Sequence, residues 1–396
     1  MPLRPPAGFI SAFYDPLKVA DAPTIGTATS GDANASVTFT APSNVGGSAI
    51  SAYYAVSNPG QVTGTGTSSP VSVTGLTNGT AYTFSVWALN TYGPSPFSAS
   101  SNSVTPAAVR GLFGGGTTGS NSNSISYITF SSPGNAVSFG ALTVARENLA
   151  AGSSSTRGVF AGGDQLGNSN VIDYVTFATT GNAASFGALT EARFGLGGCS
   201  SATRSVFIGG GTGVDTSRMD YITIASTGNA STFGNLLTLN QGMASCASPT
   251  RGVVAGGSPN NDAISYITIA STGNSATFGT LSYPRQALAG CSSSTRGVFG
   301  GGYVYTGSLV YQSRIDYITI ASTGNSTNFG LLTVARYQPS ACSSTTRGVF
   351  GGGYTGAYSN VIDYVTIDST GNATNFGSLP AAIRATAACS NAHGGL

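Results

Sequence analysis

The chain has 396 residues, of which only 7% are charged, far below the usual share of about a quarter. The formal net charge is +2 and Lys18 is the sole lysine, so the sequence carries no electrostatic footprint for nucleic acid or an anionic membrane. His393 is the sole histidine and stands three residues from the last, so Ser–His–Asp, Cys–His and histidine-based metal sites drop out: no catalytic residue, no metal and no cofactor is expected.

Residues 1–20 contain four prolines, which forbid a helix of useful length. No basic start runs into an apolar stretch, as a signal peptide would require. No run of roughly 18 apolar residues suggests membrane insertion anywhere in the chain. Phe9, Ile10, Phe13 and Tyr14, mixed with the prolines, predict an extended arm that docks on a partner. A leader without fixed structure is the alternative.

Residues 21–106 predict a β-sandwich. Short alternating runs at 35–40, 52–56, 71–73, 81–88 and 102–105 are separated by Gly, Pro, Asn and Ser. The stretch Gly75-Leu76-Thr77-Asn78-Gly79-Thr80-Ala81-Tyr82-Thr83-Phe84-Ser85-Val86-Trp87 resembles a fibronectin type III domain. The resemblance makes Tyr82 the corner tyrosine, puts Phe39 where a core Trp is usual, and leaves Trp87 as a packing residue.

From Arg110 onward one pattern recurs six times. It opens with Arg110, Arg157, Arg204, Arg251, Arg296 and Arg347, spaced 47, 47, 47, 45 and 51 residues apart. From each turn glycine (Gly134, Gly181, Gly228, Gly273, Gly324) to the next lead arginine is always 23 residues, so all length variation falls in the other half of the unit. A period of this size with several strands per unit marks a repeat architecture, and insertions map to loops on one face, often the binding face. In the unit around Arg157 four strands are expected, a to d, at 149–153, 158–161, 172–177 and 184–189. The Gly181-Asn182 pair predicts a tight c–d hairpin with positive φ.

These residues resemble the kelch family of β-propellers. The likeness rests on the double glycine after strand b (Gly162-Gly163, Gly256-Gly257, Gly352-Gly353), the Tyr in strand c, a later aromatic, and an Arg before the next strand a. It departs where Phe139, Phe186, Phe233, Phe278, Phe329 and Phe376 replace the usual Trp. The fold class expected is therefore all-β: a fibronectin type III-like sandwich (21–106), then a six-bladed kelch-like propeller (107–396), preceded by the arm (1–20). A strand near 385–390 should complete the first blade.

Several residue types are locked to the repeat. Cys199, Cys246, Cys291, Cys342 and Cys389 share one phase, with Gly152 in the remaining unit, and are expected to be free, buried core groups. Arg146, Arg193, Arg285, Arg336 and Arg384 read as a second phase, Asp173, Asp220, Asp316 and Asp363 as a third. Arg–Asp or Arg–backbone bridges between blades are expected of them. Glu147 and Glu191 read as one repeat surface position. The residues expected to face a ligand are Tyr303, Tyr305, Tyr311, Tyr354 and Tyr358 in the b–c loops and Phe194, Tyr283 and Tyr337 in the d–a connections. Rings with a polar tip suit a sugar or peptide surface, and packing within their own loops is the alternative.

The whole layout is similar to bacteriophage virion proteins that join an N-terminal anchor, an immunoglobulin-like spacer and a repeat-built tip. That likeness implies a non-enzymatic tail or head fibre or decoration, made in the host cytoplasm and carried on the virion. Its implied partners are other virion structural proteins and a host-surface glycan or protein, in an oligomeric assembly without nucleic acid. A non-viral kelch-type interaction protein and a secreted carbohydrate-binding protein are the alternatives.

Overall fold

The computed structural model describes residues 17–238 and 240–396, so the expected arm with Phe9, Ile10, Phe13 and Tyr14 lies outside the described residues. The described residues are all-β, without an α-helix. The chain divides between Ala108 and Val109 into two units.

In the first unit, Thr24–Ser30, Asn34–Thr40 and Val71–Thr74 form one sheet. Thr63–Gly66, Ala52–Asn58, Thr83–Asn90 and Gly93–Pro94 form the other. Side chains alternate along each strand, so Val37, Phe39, Tyr53, Ala55, Phe84 and Val86 all point into one shared core. The opposite face of Thr83–Asn90 carries Trp87, which stacks on its cross-strand partner Tyr54 with centroids 4.0 Å apart and planes at 7°. The Tyr82 hydroxyl accepts the Thr77 amide at 3.1 Å, pinning the corner.

The strand expected at 102–105 is reduced to a single bridge between Tyr82 and Val104. Ahead of it, Ser95, Ser98 and Ser101 donate their amides to the carbonyls of Ala88, Val86 and Phe84. Their hydroxyls accept the amides of those same residues. Serine side chains thus stand in for the backbone acceptors of a ladder, which is why no regular strand forms.

The second unit contains six four-stranded antiparallel sheets among the described residues. In one of them the order is Ala150–Ser153 (a), Arg157–Ala161 (b), Val171–Thr176 (c) and Ala184–Ala188 (d). The strand Ala387–Ser390 serves as strand a for Arg110–Gly114, at the other end of the repeat region. At each c–d pair the register slips by one: Gly187 faces Ile172 and Ser185 faces Asp173, leaving Phe186 unpaired in a bulge. The bulge aims the Phe186 ring at Tyr174, 5.9 Å away and edge-on.

Each apolar core lies between two successive sheets. Val159, Ile172 and Phe186 pack with Phe207, Ile222 and Ile224 of the next unit. Phe113, Ile128 and Phe130 of the first four-stranded sheet pack with Val349, Ile362 and Phe376 of the last. The lead arginines join the same neighbours. Arg157 lies 4.4 Å over the Tyr174 ring and donates to the carbonyl of Ile224 at 2.8 Å. Arg347 reaches the carbonyl of Phe130 at 2.5 Å in the same way.

Gly181-Asn182 is not the hairpin turn expected from sequence. The chain reverses at Phe177–Thr179, and neither residue adopts a left-handed φ. The pair instead latches onto the preceding sheet: Gly181 donates to Phe139 O at 2.8 Å and Asn182 Oδ1 accepts the Ala141 amide at 3.1 Å. A side chain at Gly140 would strike the Gly181 backbone, so the close approach requires glycine there. The same latch recurs to Ser378 and Asn135, which joins the last sheet to the first.

Candidate functional site

The d–a connections of the six units meet at one place. Asn148, Gly195, Gly242, Ala287, Gln338 and Ala385 occupy one repeat position, and all six have positive φ, from 51° to 67°. Each donates its amide to the carbonyl of its neighbour. Gly195 bonds Asn148, Gly242 bonds Gly195, Ala287 bonds Gly242, Gln338 bonds Ala287, Ala385 bonds Gln338, and Asn148 bonds Ala385, at 2.7 to 3.1 Å. Four of the six are not glycine, so the backbone holds strain of about 1–2 kcal/mol at each to keep this arrangement.

One residue earlier in each connection stand Glu147, Phe194, Gln241, Gln286, Tyr337 and Arg384. Five of them make the same backbone bridge, such as Phe194 to Gly211 and Tyr337 to Tyr354, and Gln241 keeps one of its bonds, accepting the Ser258 amide. Their side chains nevertheless span acid, base, amide and aromatic. The units hold Arg, Tyr and Phe nearly constant elsewhere, so the sequence diverges where the tips converge.

Arg384 does not belong to the arginine phase assigned to it from sequence. It stands 48 residues after Arg336, whereas the matching serines Ser343 and Ser390 are 47 apart; Ile383 holds the position. The remaining four arginines form buried pairs: Arg146–Asp173, Arg193–Asp220, Arg285–Asp316 and Arg336–Asp363, at 2.6 to 2.9 Å. These pairs lie within one sheet and its entering connection, and Thr143 of the preceding unit also bonds Asp173. Burial lowers the Arg146 pKa and Asp173 raises it. Where the arginine is replaced, the aspartate is too: Asn240 with Ser265, and Ile383 with Ser126. At neither of these two positions is a carboxylate left buried without its cation. Glu191 likewise differs in position from Glu147; it pairs with Arg218 at 3.1 Å on the surface.

Released from the buried phase, Arg384 joins the tyrosines. Its Nη1 donates to the Tyr337 hydroxyl at 2.9 Å and to Gln338 Oε1 at 2.5 Å. Its guanidinium is 5.6 to 5.9 Å from the rings of Tyr337, Tyr354 and Tyr358. The long b–c insertion is a two-stranded ribbon, Tyr303–Tyr305 with Leu309–Tyr311. It places Tyr303 and Tyr311 5.3 and 5.2 Å from Tyr337. Tyr354 lies 5.5 Å from Tyr337 and 5.6 Å from Tyr358. Five of the expected aromatics thus form one cluster. Burial raises the pKa of Tyr303 and of Tyr337, although Arg384 lowers the latter, so both hydroxyls stay protonated at neutral pH.

The other three are placed differently. Phe194 lines, from across the ring of backbone bonds, a cavity that Tyr303, Tyr337 and Arg384 also line. Tyr305 stands further out on the ribbon, 57% exposed, where its backbone bonds the Asn260 side chain. Tyr283 lies apart, with Arg314 5.6 Å from its ring. The cavity, about 310 Å³, is also lined by Gln241, Gln286, Gln338 and Asn148, which reasoning from the aromatics alone passed over.

Residues of the six a strands and His393 line a narrow space of about 50 Å³. His393 Nε2 donates to Ser153 O at 3.0 Å, and Nδ1 accepts the Gly395 amide at 3.0 Å. The five cysteines are free and buried in this inner layer. Each stands against the glycine after the lead arginine of the next sheet, such as Cys246 against Gly297. Gly152, which replaces the cysteine, stands against Ser205, which replaces the glycine. Among the described residues no group of three or more His, Cys, Asp or Glu side chains is placed to hold a metal, and no helix is long and apolar enough to cross a membrane.

Residues 21–104 match the family model of the fibronectin type III domain, and the sandwich of the first unit is such a domain. No curated protein matches the chain.

Proposed function

We propose that residues 109–396 close into a six-bladed, kelch-like β-propeller, and that the protein is a binding component of a bacteriophage virion, a tail or head fibre or decoration. In this reading the fibronectin type III domain is a spacer and the propeller is displayed outward. Closure is supported by the core between first and last sheets, the Asn135–Ser378 latch and the run of backbone bonds that returns from Asn148 to Ala385.

The observation that carries the binding role is the divergence of Glu147, Phe194, Gln241, Gln286, Tyr337 and Arg384 on an otherwise uniform framework. A rigid scaffold with varied convergent tips is how recognition surfaces are built. The low charge and single lysine favour a protein held in an assembly over one free at high concentration. The test is an antibody raised against residues 109–396 and located on particles by electron microscopy. Labelling of a tail or head projection is the expected result. Signal confined to cells or culture fluid would sink the virion reading and favour a non-viral interaction protein.

A further inference from the structure

We infer that the cavity between Tyr303, Tyr337 and the glutamines is a subsite for a neutral saccharide. This rests on the reading of that face as the binding face and names the chemistry it accepts. One wall is aromatic, formed by Tyr303 and Tyr337. Carboxamides from Gln241, Gln286, Gln338 and Asn148 make up most of the remaining lining, with Phe194 and Leu309 beside them. A pyranose has this same division: an apolar C–H face that lies on an aromatic ring, and hydroxyls that each donate and accept. A carboxamide offers one donor group and one acceptor side by side, which matches a pair of adjacent hydroxyls.

The side chains of Gln241 and Gln286 make no hydrogen bond to other described residues, and both residues line the cavity. Arg384 is the one charged residue lining it, and Tyr337 and Gln338 already engage its Nη1. No carboxylate lines it, so a cationic group gains no partner. The floor gives no purchase to a peptide backbone either: the amides and carbonyls of Gly195, Gly242 and Ala287 are taken up by one another, by the Asn148 carbonyl and by the Gln338 amide. At about 310 Å³ the cavity sits near the small end of ligand sites, roughly 300–1,000 Å³, which suits a short glycan segment.

The experiment is saturation-transfer NMR on the purified full chain. Its probes are maltose, lactose, cellobiose and N,N′-diacetylchitobiose, beside 3′-sialyllactose and a pool of acetylated tetrapeptides. Saturable binding of at least one neutral disaccharide is expected, weakened about tenfold or more in the Gln241→Ala/Gln286→Ala variant and unchanged in Tyr283→Ala, which lies outside the cavity. The two glutamine side chains bond no other described residue, so the double variant keeps its fold, which its melting temperature checks. Binding of sialyllactose or peptides alone, equal binding by the double variant, or no neutral saccharide bound at all would each overturn the inference.

Adhesion of the labelled protein to bacterial cells, before and after periodate oxidation, separates this from the broader reading. Adhesion that survives periodate, with no saccharide bound, removes the subsite and leaves a binding protein. Saccharide binding without adhesion to cells or presence on particles removes the virion reading and leaves the subsite.

Discussion

Gly152 and Ser205 show how far single residues are matched across units. Five cysteines face five glycines, and the one unit that loses the cysteine gains a serine on the other side of the contact. Gly152→Cys should destabilise by overpacking, about 1–3 kcal/mol, and Gly152→Cys/Ser205→Gly should recover most of it. Denaturant unfolding of the three variants checks this, and additive losses would contradict it. Burial pushes the thiols of Cys199, Cys291 and Cys389 up to about 12, so the native thiols stay protonated. A thiol reagent at pH 8 should leave all five cysteines unmodified until the protein is unfolded.

The Arg–Asp pairs carry a similar argument. Arg146→Met strands Asp173 in the core and should cost about 3–5 kcal/mol. Arg146→Ile/Asp173→Ser copies the Ile383–Ser126 pair already present in the chain and should cost clearly less by chemical denaturation. His393 adds a pH dependence. Burial holds its pKa below the ordinary 6.5, although the bond to Ser153 O raises it. The unfolded chain then binds the extra proton, so this stability is whole above about pH 6.5 and is lost as pH falls through the folded value. The melting temperature should drop more between pH 7 and pH 5 in the wild type than in His393→Gln.

At the scale of elements, much was legible because the same punctuation recurs six times. Expected strand b of the Arg157 unit starts one residue after the observed Arg157–Ala161, and expected strand c is shifted by one residue at both ends from the observed Val171–Thr176. What sequence could not give were features that depend on a partner across space. The Phe186 bulge exists only in the register between two strands, and the Gly181-Asn182 latch only against the preceding sheet. Arg384 was misassigned because a slip of one residue is invisible until strand a fixes the count. The tyrosine cluster was legible from the long insertion, whereas the carboxamide wall was not, since single glutamines in separate units carry no local pattern. Replacing residues 304–310 by Gly-Asn should leave the far-UV spectrum intact and cost little stability, because loop length is cheap. The same change should abolish ligand binding by removing the support for Tyr303 and Tyr311.

At the scale of the whole second unit, local contacts repeat from one sheet to the next, and only a few join residues some 240 positions apart. Asn148 to Ala385 and Ser378 to Asn135 are such seams. If the sheets close as proposed, no seam is weaker than the other joints, and the six connection amides should behave as one set. The most direct measurement is native-state hydrogen exchange at the amides of Asn148, Gly195, Gly242, Ala287, Gln338 and Ala385. Equal protection at all six, close to that of the a strands, is predicted. Fast exchange at Asn148 alone, with the other five protected, would show an open end and contradict closure.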